Sequence, residues 1–98
     1  MIDGKIVITC ACTGAETTKA HNPALPVTVA EVAQAAEECR KAGAAILHLH
    51  VRTDSGKPTA SPERFKEVIE AVRRRTDIIV EITTGGAVGD TPEERLRP

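Results

Sequence analysis

Aromatic residues are nearly missing from this chain. Its 98 residues include no tryptophan, no tyrosine and a single phenylalanine, Phe65. Without stacking platforms there is no base-binding surface of the usual kind. A core without aromatic bulk also points to a piece that needs further chain to complete it. An excess of one charge is missing too: 13 Lys and Arg are interspersed with 14 Asp and Glu, for a net charge of −1. That balance gives no electrostatic reason to expect DNA, RNA or an anionic membrane as a partner. Long hydrophobic runs are absent, since Lys5 to Ala11 and Ala42 to Leu47 fall far short of the roughly 20 residues that span a bilayer. The opening Met1-Ile2-Asp3-Gly4-Lys5 has no apolar segment of signal-peptide type behind it. The three cysteines, Cys10, Cys12 and Cys39, make neither an even-numbered framework nor a C-x-x-C pair, which fits a reducing compartment. The expectation is a soluble, cytoplasmic protein.

What is present is a repeated strand, loop and helix. Ile6-Val7-Ile8-Thr9-Cys10-Ala11 is a continuous, β-branched run that reads as a parallel strand buried on both faces. A polar loop, Thr13 to Pro26, follows. Thr28-x-x-Glu31 is a capping box that opens a helix whose apolar face is Val29, Val32, Ala33, Ala36 and Cys39, and Gly43 supplies the left-handed stop. Ala45 to Val51 reads as a second strand and Asp54 to Pro58 as a turn-rich loop. Ser61 as N-cap and Pro62 at the first helical position start a second helix, with Phe65, Val68, Ile69 and Val72 as its buried stripe. Arg73-Arg74-Arg75 at its end read as a solvated, dipole-matched terminus rather than a phosphate site. Ile78 to Thr83 is a third strand, and Thr91-Pro92-Glu93-Glu94 repeats the capping box. Three such units average about 33 residues each, close to the roughly 31 of a ~250-residue eightfold barrel. Three parallel strands alone would leave two open edges and uncovered apolar faces. The reading is therefore α/β, with residues 1–98 as the N-terminal part of a single (β/α)8 TIM-barrel domain, about the first three βα units.

The chemistry concentrates at the strand ends. His48 and His50 lie two apart on a strand, so both project from one face with β-carbons roughly 6.6 Å apart, close enough to converge on one metal ion. Leu47, Leu49 and Val51 take the other face, which assigns the histidines to the barrel interior, where barrel enzymes place their sites. Two lumen-facing histidines are costly as plain core residues, so a metal site is preferred, with zinc the ion suited to imidazole plus a carboxylate. Cys10 and Cys12 also share a strand face, so a closed Cys2His2 zinc site without catalytic function is the alternative. Free cysteines can equally be small buried hydrophobes. Thr83-Thr84-Gly85-Gly86-Ala87-Val88-Gly89-Asp90 follows a strand and precedes a helix. Its glycines can admit an anionic ligand to the backbone, although it matches no nucleotide-binding pattern. Taken alone, that loop allows a phosphate-binding barrel without zinc. Glu81 is either a group supporting the histidines or part of a structural polar layer. Glu16, just past the first strand, would hang over the same mouth, and His21 reads as surface.

Several of these segments together resemble a known family. Thr13-Gly14-Ala15-Glu16-Thr17-Thr18, Leu25-Pro26-Val27-Thr28, the stretch from Gly43 to Arg52 with its H-L-H-x-R pattern, Thr83 to Gly89 with T-G-G, and Glu94-Arg95-Leu96 are similar in order and spacing to the beta-keto acid cleavage enzymes. The likeness covers essentially the whole chain. It implies a zinc-dependent barrel that condenses a beta-keto acid with acetyl-CoA and releases acetoacetate and a new acyl-CoA. The branch it most resembles acts on 3-keto-5-aminohexanoate in lysine fermentation. By that resemblance His48 and His50 hold zinc, while Glu16, Thr83 and Gly86 contact substrate, Thr83 standing where the best-known member has serine. The third zinc ligand, the general base and its arginine belong to later strands, so no catalytic residue is expected within this chain and by itself it should be inactive. The resemblance further implies a homotetramer.

Overall fold

The computed structural model describes residues 3–98; Met1 and Ile2, the start of the segment read as leaderless, lie outside the described residues. Strands β1 (Thr9–Cys10), β2 (Ile46–Leu49) and β5 (Ile79–Ile82) form a parallel sheet in the order β1-β2-β5. Helices α1 (Val29–Lys41) and α2 (Pro62–Arg75) connect them. Between β2 and α2 the chain makes a short antiparallel hairpin, β3 (Val51–Arg52) with β4 (Pro58–Thr59), and α3 (Pro92–Arg95) is a single turn. Among the described residues no helix is long and apolar enough to cross a membrane.

The helix starts form as their sequences require. Thr28 Oγ1 accepts the N–H of Glu31, and the Glu31 carboxylate accepts those of Thr28 and Val27, so two donors that the first turn would orphan, Thr28 and Glu31, are paired. Gly43 ends this segment with φ +114°, a conformation that costs a residue with a Cβ. Ser61 Oγ caps α2, with Pro62 behind it. The second capping box is also made, Thr91 Oγ1 accepting from Glu94 and Glu94 from Thr91.

The core lies between the sheet and the two helices. Val32, Ala33 and Ala36 of α1 and Phe65, Val68 and Val72 of α2 are buried against Leu47 and Leu49 of β2. The fully buried apolar side chains together carry the largest stabilising term available to a chain of this size. Val29, Cys39 and Ile69 pack at its margin, half-buried. Ala71, absent from the stripe read in the sequence, is also buried.

Three expectations are corrected. The first strand is not buried on both faces: only Thr9–Cys10 pairs, and Ile6, Val7 and Ile8 are 77%, 68% and 48% exposed. The Ile8 carbonyl accepts from Ala45 and Ile46, and among the described residues no strand pairs with β1 on its other side. The second strand does not run unbroken to Val51. It leaves the parallel sheet after Leu49, and Val51 and Arg52 pair backwards with Thr59 and Pro58, so Pro58 belongs to a strand rather than to a plain loop. The third strand is shorter than Ile78 to Thr83 and forms the other edge, where Ile79 is 63% exposed.

Candidate functional site

Register builds the site. In the parallel ladder His48 stands beside Glu81, while Leu47 stands beside Val80 and Leu49 beside Ile82. Side chains alternate along a strand, so His48 and Glu81 share the face away from the helices. His48 Nδ1 lies 2.6 Å from Glu81 Oε1. A carboxylate only accepts, so Nδ1 carries the proton of this contact and Nε2 is the nitrogen turned away from Glu81. Glu81 thus supports a histidine, one of the two roles its position allowed. His50 follows on the same side, its ring centroid 5.4 Å from that of His48 with the planes 64° apart. Burial holds the His50 imidazole below its ordinary pKa, and the charges of His48 and Arg52 act in the same direction. A neutral ring is the form that binds metal. One histidine oriented by a carboxylate and a second imidazole beside it are two of the three protein donors that an open metal site uses, a partial set that such an ion fits.

The segments around this face are fixed by hydrogen bonds. Thr83 is buried; its N–H donates to the Leu49 carbonyl and its Oγ1 accepts from Gly85 N–H at 3.0 Å. The Thr83 hydroxyl therefore keeps its own proton for another acceptor. Gly86 has φ +60°, and a Cβ there would run into the Asp90 carboxylate. That carboxylate accepts the N–H of Ala87 at 2.8 Å. An acidic group already fills part of the anion-accepting curve, which weighs against the phosphate-binding reading of this loop. His50, Thr83 and Gly86 line one pocket together with Val51, Thr59 and Ala87. Glu16 is not part of it; it lies exposed on the loop after β1.

Sequence reasoning assigned no role to the residue that holds this loop. Arg52 is 1% exposed. Its guanidinium donates to the carbonyls of Gly14 and Thr17, at 2.8 to 3.1 Å, and to that of Gly56 at 2.8 Å. Burial lowers its pKa while the nearby Glu16 charge raises it. Arg64 in turn bonds the Arg52 carbonyl and the Asp54 carboxylate. The available signal was an arginine directly after an apolar strand, where only carbonyls within the fold can satisfy its five donors.

The closed Cys2His2 site does not form. Cys10 pairs with Leu47 in the parallel register and so lies on the helix-facing side, opposite His48. There it meets Cys12 and, from α1, Cys39. Burial pushes the Cys12 and Cys39 thiols above their usual range, and their sulfur neighbours add to the rise at Cys12. His21 is exposed, as expected, its Nδ1 accepting from Thr18 N–H. The three arginines at the end of α2 are exposed, with Arg75 paired to Glu37.

The sequence profile of the beta-keto acid cleavage enzymes matches residues 5–98. The chain belongs to the beta-keto acid cleavage enzyme family. Among curated relatives of this family, it is 57% identical over 95 residues to the 3-keto-5-aminohexanoate cleavage enzyme of Fusobacterium nucleatum, covering 96% of this chain and 35% of that protein. It is 52% identical, with the same coverage, to the protein of that name from Acetoanaerobium sticklandii. Against the 3,5-dioxohexanoate:acetyl-CoA acetone transferase of Paraburkholderia graminis it is 44% identical over 95 residues, covering 96% of this chain and 31% of that relative. The chain spans about a third of the length of the curated relatives it matches.

Proposed function

We propose that residues 1–98 supply the first three βα units of a (β/α)8 barrel enzyme that condenses a beta-keto acid with acetyl-CoA and yields acetoacetate and a new acyl-CoA. The observation that carries this reading is the adjacency of the His48 and His50 rings, the former bonded to Glu81, in a chain 57% identical to a protein named for this kind of cleavage. Among the described residues no further strand pairs with either edge of the parallel sheet, and Ile79 and, just before β1, Ile6 and Val7 are exposed, which supports further strands closing the barrel. The family resemblance adds a homotetramer, and three free thiols suit the cytoplasm.

Zinc is the ion proposed for His48 and His50; when bound, it supplies Lewis-acid polarisation of a keto oxygen. The remaining work in this chain is positioning. Glu81 fixes the tautomer and ring orientation of His48. Thr83 offers a hydroxyl proton to a substrate oxygen, and Gly86, in the loop that follows it, would contact substrate as the family resemblance implies. Glu16, on the loop that Arg52 holds, would pair with a cationic substrate tail as the family resemblance implies, which favours 3-keto-5-aminohexanoate among beta-keto acids. The third ligand and the general base lie beyond this chain.

The test is zinc content of the complete gene product, wild type beside a His48→Ala/His50→Ala double variant. Acetoacetate formation from acetyl-CoA and 3-keto-5-aminohexanoate is assayed on the same samples. One zinc per chain, lost with activity in the variant, is expected. Zinc retained by the variant, or an active wild type without zinc, would overturn the proposal.

A further inference from the structure

Three sulfurs meet on the sheet face turned away from the histidines. Cys10 comes from β1, Cys12 from two residues later and Cys39 from the last turn of α1. Their Sγ atoms are 2.6 Å apart for Cys10 and Cys39, 3.4 Å for Cys10 and Cys12, and 3.6 Å for Cys12 and Cys39. Among the described residues no carboxylate or imidazole joins the group. All three thiols are free and half-buried, and Cys10 and Cys39 border a surface hollow lined otherwise by Ile8, Thr9, Ala42 and Ala44. The walls of this hollow are mostly apolar.

Those features select among ligands. A disulfide would use two sulfurs and leave the third without a role. Tetrahedral zinc requires a fourth donor, and with Zn–S bonds of ~2.3 Å it spaces its sulfurs about 3.8 Å apart, wider than any pair here. Three thiolates around a monovalent or divalent ion also retain net negative charge, which apolar walls disfavour. A trivalent centre with three bonds and a lone pair avoids both problems. Its product with three thiolates is neutral, and its pyramidal shape keeps the sulfurs closer together than a tetrahedral ion does.

We propose that Cys10, Cys12 and Cys39 form a binding site for a trivalent thiophilic oxoacid of the arsenite class. Arsenous acid, As(OH)3, condenses with the three thiols. Three As–O bonds break, three As–S bonds form, and each thiol proton leaves with a hydroxyl as water. Arsenic stays trivalent, so no oxidant or reductant takes part. The reaction asks only that the Cys10 and Cys39 sulfurs draw apart toward the spacing the other two pairs already have. Once formed, the adduct ties β1 and the start of the Glu16 loop to α1.

The experiment titrates the complete gene product, kept reduced with a phosphine rather than a competing thiol, with sodium arsenite. Native mass spectrometry gives the stoichiometry and arsenic K-edge absorption gives the shell. One arsenic is expected at this site, with three sulfurs and no oxygen around it. Removing the third tethered thiol in Cys12→Ala should weaken uptake by about 100-fold or more, as lost multivalency predicts. Cys10→Ala and Cys39→Ala should do the same. The absorption measurement needs only the wild type, so a variant that misfolds does not decide the matter. No uptake by the folded wild type, oxygen retained on arsenic, or undiminished affinity in Cys12→Ala would each overturn the proposal.

Discussion

Arg52 grips the carbonyl of Gly14 with two nitrogens at once, Nε at 3.1 Å and Nη2 at 2.9 Å, across 38 positions of sequence. The contact joins the strand segment just past the histidines to the loop that carries Glu16. Arg52→Lys keeps the charge but cannot reproduce the fork. If Glu16 binds substrate, loosening its loop should raise KM for the keto acid by about tenfold or more, since a hydrogen bond to a charged group is worth about 1.5–3 kcal/mol. The turnover number should fall much less. Arg52→Ala should in addition destabilise the fold by about 2–4 kcal/mol, because it removes a buried side chain together with its hydrogen bonds to three carbonyls. Steady-state kinetics and urea denaturation measure the two effects. An unchanged KM in a folded Arg52→Lys protein would disconnect the loop from substrate.

The bond between His48 and Glu81 sets a second prediction. Glu81→Gln retains the size of the side chain and removes the charge that orients the imidazole. Loss of such a carboxylate behind a ligating histidine lowers metal affinity by about 10–100-fold. Competition with a zinc chelator should show that decrease, with the folded state intact because Glu81 is half exposed.

At Gly86 the backbone and the neighbouring carboxylate exclude a side chain together. Gly86→Ala should cost about 1–2 kcal/mol for the left-handed conformation alone, with the encounter with Asp90 added. Gly86→Ala combined with Asp90→Ala should recover the steric part only. A double-mutant cycle by thermal denaturation separates the two contributions.

Acid should weaken the start of α1. The backbone N–H groups of Val27 and Thr28 hold the Glu31 carboxyl below the usual glutamate value of 4.5, Val27 contributing most. A folded-state pKa below the unfolded one adds stability above the unfolded value, and that contribution disappears as pH falls through the folded one. The stability gap between wild type and Glu31→Gln should therefore be full at neutral pH and shrink below about pH 4.5. Thr28→Ala, which removes the other half of the box, should cost about 1 kcal/mol at neutral pH. Urea midpoints recorded across that range test both.

The sequence by itself determined the parts of this protein that depend on near neighbours along the chain. Both capping boxes, the Ser61-Pro62 helix start and the left-handed Gly43 rest on residues within four positions of one another, and each forms as its spacing requires. The same holds for the opposed faces of Leu47, His48 and Leu49, since strand alternation is a property of the backbone. Tertiary structure decided whatever depends on which strand lies beside which. Only the parallel register sets Glu81 against His48 and turns Cys10 toward α1, away from the histidines. The length of β1 and the reversal at Val51 were settled in the same way: a strand extends only where a neighbour supplies hydrogen-bonding partners, and among the described residues the β1 ladder pairs only Thr9 and Cys10. Arg52 shows the limit most clearly. Its role rests on carbonyls of Gly14 and Thr17, and backbone carbonyls are the same at every position of the sequence. Only folding brings those two within reach of a guanidinium 35 or more residues away.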